Sequence, residues 1–144
     1  MKKPKGLIFL VVLILLFSLT ACAKSNSGEK TVTLVIGEGD GQKVFASYKT
    51  DAEYLIDLLN ELEEKGEITF SATDSALGAY LTEINGITSG DGKYIMVLTT
   101  LEEYWDTTDW KIVKTYGGTE YVSAIVGISA LKISDGAGYM IALA

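Results

Sequence analysis

The stretch TDAEYLIDLLNELEEKG, residues 50–66, decides how this chain folds. Leu55, Leu58, Leu59 and Leu62 fall at i, i+3, i+4 and i+7, the spacing of one apolar stripe on a helix. Asp57, Glu61 and Glu64 occupy the opposite, wet face. Thr50-Asp51-Ala52-Glu53 has the pattern of a capping box, with the Thr50 hydroxyl accepting from the Glu53 N–H and Glu53 reaching back. Lys65 stands in the last turn, where a cation suits the helix dipole. Gly66 is the expected stop. The pattern predicts a helix over about 51–65. Its leucine stripe is a core face.

On both sides of it the period changes to two. TVTLVI (31–36) and KVFASY (43–48) alternate and are rich in β-branched residues, so both are read as strands. The Gly37–Gly41 stretch between them is a hairpin loop. A phosphate cradle would need a helix opening directly behind the glycines, and a strand follows instead. Downstream, 67–71 is a short strand candidate. Tyr80–Ile84 alternates, then Asn85-Gly86 marks a tight hairpin before Ile87. KYIMVLTT (93–100) is nearly continuous in apolar character, which places it inside a sheet. Segments 120–126 and 138–142 complete the strands. Strands with a single helix define an α+β domain.

Leu101–Tyr116 fits neither period. It sets Tyr104, Trp105, Trp110 and Tyr116 among Glu102, Glu103, Asp106 and Asp109. A long irregular segment of this kind is uncommon unless functional. Aromatic faces beside polar groups suit an apolar ligand; the alternative is that both tryptophans cover the edge of a small core. With Tyr80, Asn85 and Tyr94, residues Tyr104, Trp105 and Trp110 form the candidate ligand-binding set. The expected site lies where the 84–87 hairpin meets the 101–116 segment. The four acids also admit a carboxylate-based glycan hydrolase, which needs two acids at a defined separation. In so acidic a chain, neighbouring carboxylates also suit a solvated face.

The start of the chain speaks of location. Lys2, Lys3 and Lys5 precede an apolar run from Leu7 to Phe17, too short to span a bilayer. This is the pattern of a secretory signal. Its ending, Leu19-Thr20-Ala21-Cys22, is similar to a bacterial lipobox, in which the cysteine carries lipid and becomes the new N-terminus. An uncleaved anchor or an ordinary signal peptide is the alternative. The expected organisation is a signal peptide over 1–21, a lipidated tether over 22–30 and one domain over 31–144. The protein would then be held by lipid on Cys22 at the extracytoplasmic face of the cell membrane. Two or three acyl chains make such attachment close to permanent.

Composition narrows the function classes. The 144 residues include 12 lysines, no arginine and no histidine, against 19 acidic residues. Removal of the signal leaves nine lysines and a net charge of −10. Such a surface argues against nucleic acid. The missing histidine removes the commonest general base and metal ligand, so neither catalysis nor a metal is expected. Cys22 is the only cysteine, which excludes an internal disulfide.

From Thr31 onward the chain resembles the DUF4430 domain of Gram-positive surface lipoproteins, which is itself similar to the C-terminal domain of transcobalamin and intrinsic factor. The residues that carry the resemblance are TVTLVI, the helix after a short hairpin, and Gly78-Ala79-Tyr80-Leu81-Thr82-Glu83-Ile84-Asn85-Gly86-Ile87. Gly127-Ile128-Ser129-Ala130-Leu131 and Asp135-Gly136 before a closing strand also fit. Two departures stand out: Tyr94-Ile95 where an aromatic pair is frequent, and Ala137 where a second aspartate is frequent. The resemblance implies a small β-grasp-like domain with one helix on a mostly antiparallel sheet. With the missing histidine and the committed cysteine, the expected function is a non-catalytic binding lipoprotein with a small-molecule ligand or an importer as partner, and the resemblance implies cobalamin or a similar ligand. A cell-surface protein-interaction or adhesion module is the alternative.

Overall fold

The computed structural model describes residues 28–144. Residues 1–27, with the expected signal peptide, Cys22 and most of the expected tether, lie outside the described residues.

The described residues form nine strands and one α-helix. In order these are β1 (Lys30–Ile36), β2 (Lys43–Thr50), α1 (Leu55–Glu64), β3 (Phe70–Thr73), β4 (Tyr80–Ile84), β5 (Ile87–Thr88), β6 (Ile95–Thr99), β7 (Val113–Tyr116), β8 (Thr119–Ser123) and β9 (Gly138–Leu143). Short 3-10 turns occupy Gly39–Gly41 and Glu102–Tyr104. The main sheet runs β2-β1-β9-β6-β8-β7, and β3-β4-β5 form a second sheet. Every pairing is antiparallel except β1 with β9. The expected α+β class, mostly antiparallel with one packed helix, is the class observed.

Alternation along the strands divides the core. Leu34 and Ile36 of β1 and Tyr139 and Ile141 of β9 join the four helix leucines in the main cluster. Val35, Met140 and Ala142 point to the other face and pack with Leu98 and Tyr121. Strand β9 is therefore covered on both faces. It lies beside β6, so the near-continuous apolar run at 93–100 does mark an interior strand. Leu55, Leu58, Leu59 and Leu62 are each fully buried. Burial of such a side chain contributes about 1.5–3 kcal/mol.

The helix begins four residues later than the sequence pattern places it. Thr50 ends β2 and is buried. Its hydroxyl accepts the Ala52 N–H at 3.0 Å and donates to Glu61 Oε2 at 2.7 Å. The capping-box role passes in part to Asp57, whose Oδ2 accepts the Tyr54 N–H at 3.0 Å. The first helical N–H groups have no partner within a helix. Here Leu55 N–H donates to Leu131 O and Ile56 N–H to Ile128 O, at 2.8 and 3.0 Å. A remote segment caps this helix, which local sequence spacing does not reveal.

Glu61 gathers three donors on one side of the helix. Tyr48 donates to its Oε1 at 3.0 Å, Lys65 to the same oxygen at 2.7 Å, and Thr50 to Oε2. Partial burial alone pushes this carboxyl up, but the hydrogen bonds from Lys65, Thr50 and Tyr48 together outweigh it and hold it below its ordinary value of 4.5. A carboxyl depressed in the folded state contributes stability that is complete above its unfolded pKa and is lost as pH falls through the folded value. The denaturant midpoint of the native protein is therefore expected to drop as pH falls below about 4.5. In Glu61→Gln that acid-side drop becomes shallower. Equal slopes in the two proteins would show that the network carries no pH-dependent stability.

Candidate functional site

The main sheet brings several chain segments to one end. Strands β1 and β9 run parallel, so Ile36 and Leu143 finish together. Strand β6 runs antiparallel to β9, which sets Lys93 at the same end, and the 37–41 loop turns there into β2. The β4–β5 hairpin folds over this end. Its turn residues Asn85 and Gly86 have φ of 49° and 79°, the two positive values of a type I′ turn. The approach is close, since a Cβ on Gly37 would lie 3.3 Å from Ile87 Cδ1. Between these parts lies a recess of about 380 Å³, lined by Ile36, Gly37, Glu38, Gly41, Asn85, Ile87, Lys93 and Leu143.

Its chemistry is simple. Ile87 and Leu143, with the buried Ile36 behind them, give it apolar lining, and Glu38, Asn85 and Lys93 supply polar groups. The Asn85 side-chain oxygen accepts the Thr69 N–H at 3.0 Å, which fixes the amide and leaves its Nδ2 to donate outward. Glu38 is paired with Lys114. The Lys93 ammonium has no acidic partner among the described residues.

The six candidate residues do not converge on this recess. Tyr80, 51% exposed, lines a separate groove of about 220 Å³ with Leu77, Ile95, Val97 and Ile125. Tyr94 is exposed, and its backbone exchanges two hydrogen bonds with Ala144, each 2.9 Å. Tyr104 is half-buried against the main core. Trp105 is half-buried, donates from Nε1 to Thr99 O at 2.9 Å, and lines a third depression of about 360 Å³ with Asp106, Lys111 and Glu120. Trp110 is 86% exposed.

The expected meeting of the 84–87 hairpin with the 101–116 segment is thus not the arrangement observed: Asn85 and Trp105 line different depressions. The 101–116 segment instead runs along β8, with Trp105 bridged to Ala124. Sequence reasoning missed Lys93, Ile36, Gly37 and Leu143. The available signal was the presence of two turn motifs, Gly37–Gly41 and Asn85-Gly86, but they belong to different sheets, and only the packing of the β4–β5 hairpin against the main sheet brings them together.

The two tryptophans should separate in a stability measurement. Trp110→Ala is expected to shift the urea midpoint by no more than about 0.5 kcal/mol equivalent, as an exposed position does. Trp105→Ala loses a hydrogen bond and half-buried ring area, about 1–3 kcal/mol. Equal losses at both positions would contradict their observed placement.

Asp106 belongs to its own loop. Hydrogen bonds from the Thr108 backbone and side chain hold its carboxyl below the usual range, and Thr108 N–H reaches Oδ1 at 2.8 Å. Glu102, Glu103 and Asp109 are exposed. Among the described residues no group of three or more Asp, Glu, Cys or His side chains is placed to hold a metal.

Fold and recess together define a class: a small α+β domain with one helix packed on a mostly antiparallel sheet and a ligand-sized hollow at one sheet end. No family model matches the chain, and no curated protein gives a significant match. Among 15 matching solved chains is one described as a "putative metal binding protein", from Ruminococcus gnavus ATCC 29149. It is 18% identical, with a TM-score of 0.53, over 81% of this chain and 97% of that one. The likeness is one of fold.

Proposed function

We propose that this protein is a lipoprotein anchored through Cys22 outside the cytoplasmic membrane, whose domain binds a small molecule without transforming it. The observation that carries the binding reading is the recess bounded by Asn85, Lys93 and the 37–41 loop. The recess is a concave hollow of mixed lining, aliphatic side chains beside Glu38, Asn85 and Lys93, and concavity with a few placed polar groups is a feature of small-ligand sites. The parallel pairing of β1 with β9, beside the β1–β2 hairpin and α1, also supports the β-grasp-like label.

A corrinoid remains the named ligand of the family resemblance. The recess is near the lower end of the usual 300–1,000 Å³ range for ligand pockets. A corrin ring would therefore rest on its mouth, with the hairpin tip and loop as contacts. An enzyme acting through the 101–116 acids would need a carboxyl held protonated to donate. Asp106, held below its usual range, is unsuited to that role.

One observation favours a second reading. Leu77, Tyr80 and Ile125 are exposed at 66%, 51% and 51% and line one groove. Apolar exposure of this kind also fits a protein-interaction module.

Metabolic acyl labelling and detergent phase partitioning of native protein and Cys22→Ala test the anchor. Label is expected only in the native protein, and equal labelling would end the lipoprotein reading. Titration with corrinoids and small organic ligands, followed by tryptophan fluorescence and calorimetry, tests the binding. No response to any of them would leave the interaction module as the better account.

A further inference from the structure

We infer that the recess at the shared end of β1 and β9 takes a small organic carboxylate, its head on Lys93 and Asn85 and its apolar body on Ile87 and Leu143. The inference rests on the small-molecule reading above and names the ligand class.

The argument is an imbalance of donors and acceptors. Lys93 brings an ammonium with three donors and no acceptor, and Asn85 brings an amide NH₂. The Asn85 oxygen is already committed to Thr69 N–H. Glu38 is the one carboxylate lining the recess, and its Oε1 accepts from Lys114. Lys114 lines an adjoining depression together with Glu38, Thr115 and Tyr116, and its ammonium offsets the Glu38 charge. Beside Glu38, whose charge is offset by Lys114, the side-chain groups left to meet a ligand are the Asn85 amide and the Lys93 ammonium, both donors and one of them cationic. The complementary head is an acceptor-rich anion. A carboxylate accepts from an ammonium and an amide at once, and such charge-assisted bonds are the strong ones.

The floor sets the rest of the molecule. Ile36 is buried and Ile87 half-buried, and both pack in the main core. Leu143 closes the side at the end of β9. The partly exposed Ile87 and Leu143, over the buried Ile36, offer an aliphatic surface suited to a compact ring or branched chain. The backbone of the 37–41 loop rims this surface. A volume of about 380 Å³ limits the body to something of that size.

The test uses the full lipidated chain in nanodiscs, with empty nanodiscs as the blank. Calorimetry compares phenylacetate with phenylacetamide, which has the same body and a neutral head, and with acetate, which has the same head and no body. Phenylacetate is expected to bind about tenfold or more tightly than either, the effect of one charge-assisted hydrogen bond or of the lost apolar contact. Lys93→Gln changes an exposed side chain and should weaken phenylacetate by about tenfold or more without affecting phenylacetamide. Asn85→Asp keeps an acceptor for Thr69 N–H and a residue tolerant of positive φ. It replaces the donor with a negative charge and should weaken phenylacetate further. Phenylacetamide binding as well as the acid, or Lys93→Gln leaving the acid unchanged, would overturn the carboxylate assignment and leave the binding reading standing. Absence of binding by all three compounds and by corrinoids alike would overturn both.

Discussion

Leu58→Ala is expected to lower stability by about 2–5 kcal/mol, the range for a leucine truncated in a packed core. Leu58 is fully buried on the helix face that meets the main cluster, with Leu55, Leu59 and Leu62 beside it. The loss combines the transfer of the removed methyl groups with the cavity they leave. Thr50→Ala provides the comparison. Its hydroxyl does not cap the helix; it holds Ala52 N–H and Glu61. Its removal leaves a buried N–H without that acceptor, about 1–3 kcal/mol. Urea midpoints at constant slope rank the two. A larger loss at Thr50 would mean that the leucine stripe contributes less than its burial implies.

Gly127→Ala is the second large effect. A Cβ at Gly127 would collide with Ala79 O and would lie 2.7 Å from both Gly78 C and Gly78 O. The obstacles are backbone atoms, which cannot rotate away as a side-chain tip does. The contact is held from both sides: Gly127 N–H donates to Leu77 O at 2.8 Å and Ile128 N–H to Ala79 O at 2.7 Å. Overpacking of this kind costs about 1–3 kcal/mol and at times more. The damage should reach the helix, because Ile128 O and Leu131 O accept its first two N–H groups. Loss of midpoint together with faster hydrogen exchange at Leu55 and Ile56 is the expected result. An unchanged midpoint would show that the 77–79 segment yields freely to the methyl group.

Much of the fold was legible because it is written in short periods. The 3.6 spacing of the leucines, the alternation of TVTLVI and KVFASY, and the Asn85-Gly86 turn are local consequences of side-chain direction and allowed φ. The start of the helix was misplaced for a physical reason. Thr50–Glu53 satisfies the spacing of a capping box, yet these residues continue from β2 toward the Tyr54–Lys132 bridge. Bonds to Ile128 and Leu131 then fix the helix start at Leu55. A local pattern is overridden where distant carbonyls accept the same orphan N–H groups more effectively.

The candidate site divides in the same way. Asn85 was recognised from its turn, and it does line the recess. Trp105 and Trp110 were joined to it by shared chemistry alone, and the chain sends them elsewhere. Lys93 carried no local signal, since a lysine before a strand is ordinary. The sequence by itself determined the α+β class, the one buried helix face, the turn at Asn85-Gly86 and the acidic, histidine-free chemistry. Each of these depends on neighbours within a few residues. Only the tertiary structure decided which turns share an end of the sheet, which lysine faces the recess and which tryptophan is half-buried. Those outcomes depend on the pairing of β1 with β9 and of β6 with β8 and on the packing of the β4–β5 hairpin against the main sheet, contacts between residues far apart in the chain, which no local period encodes.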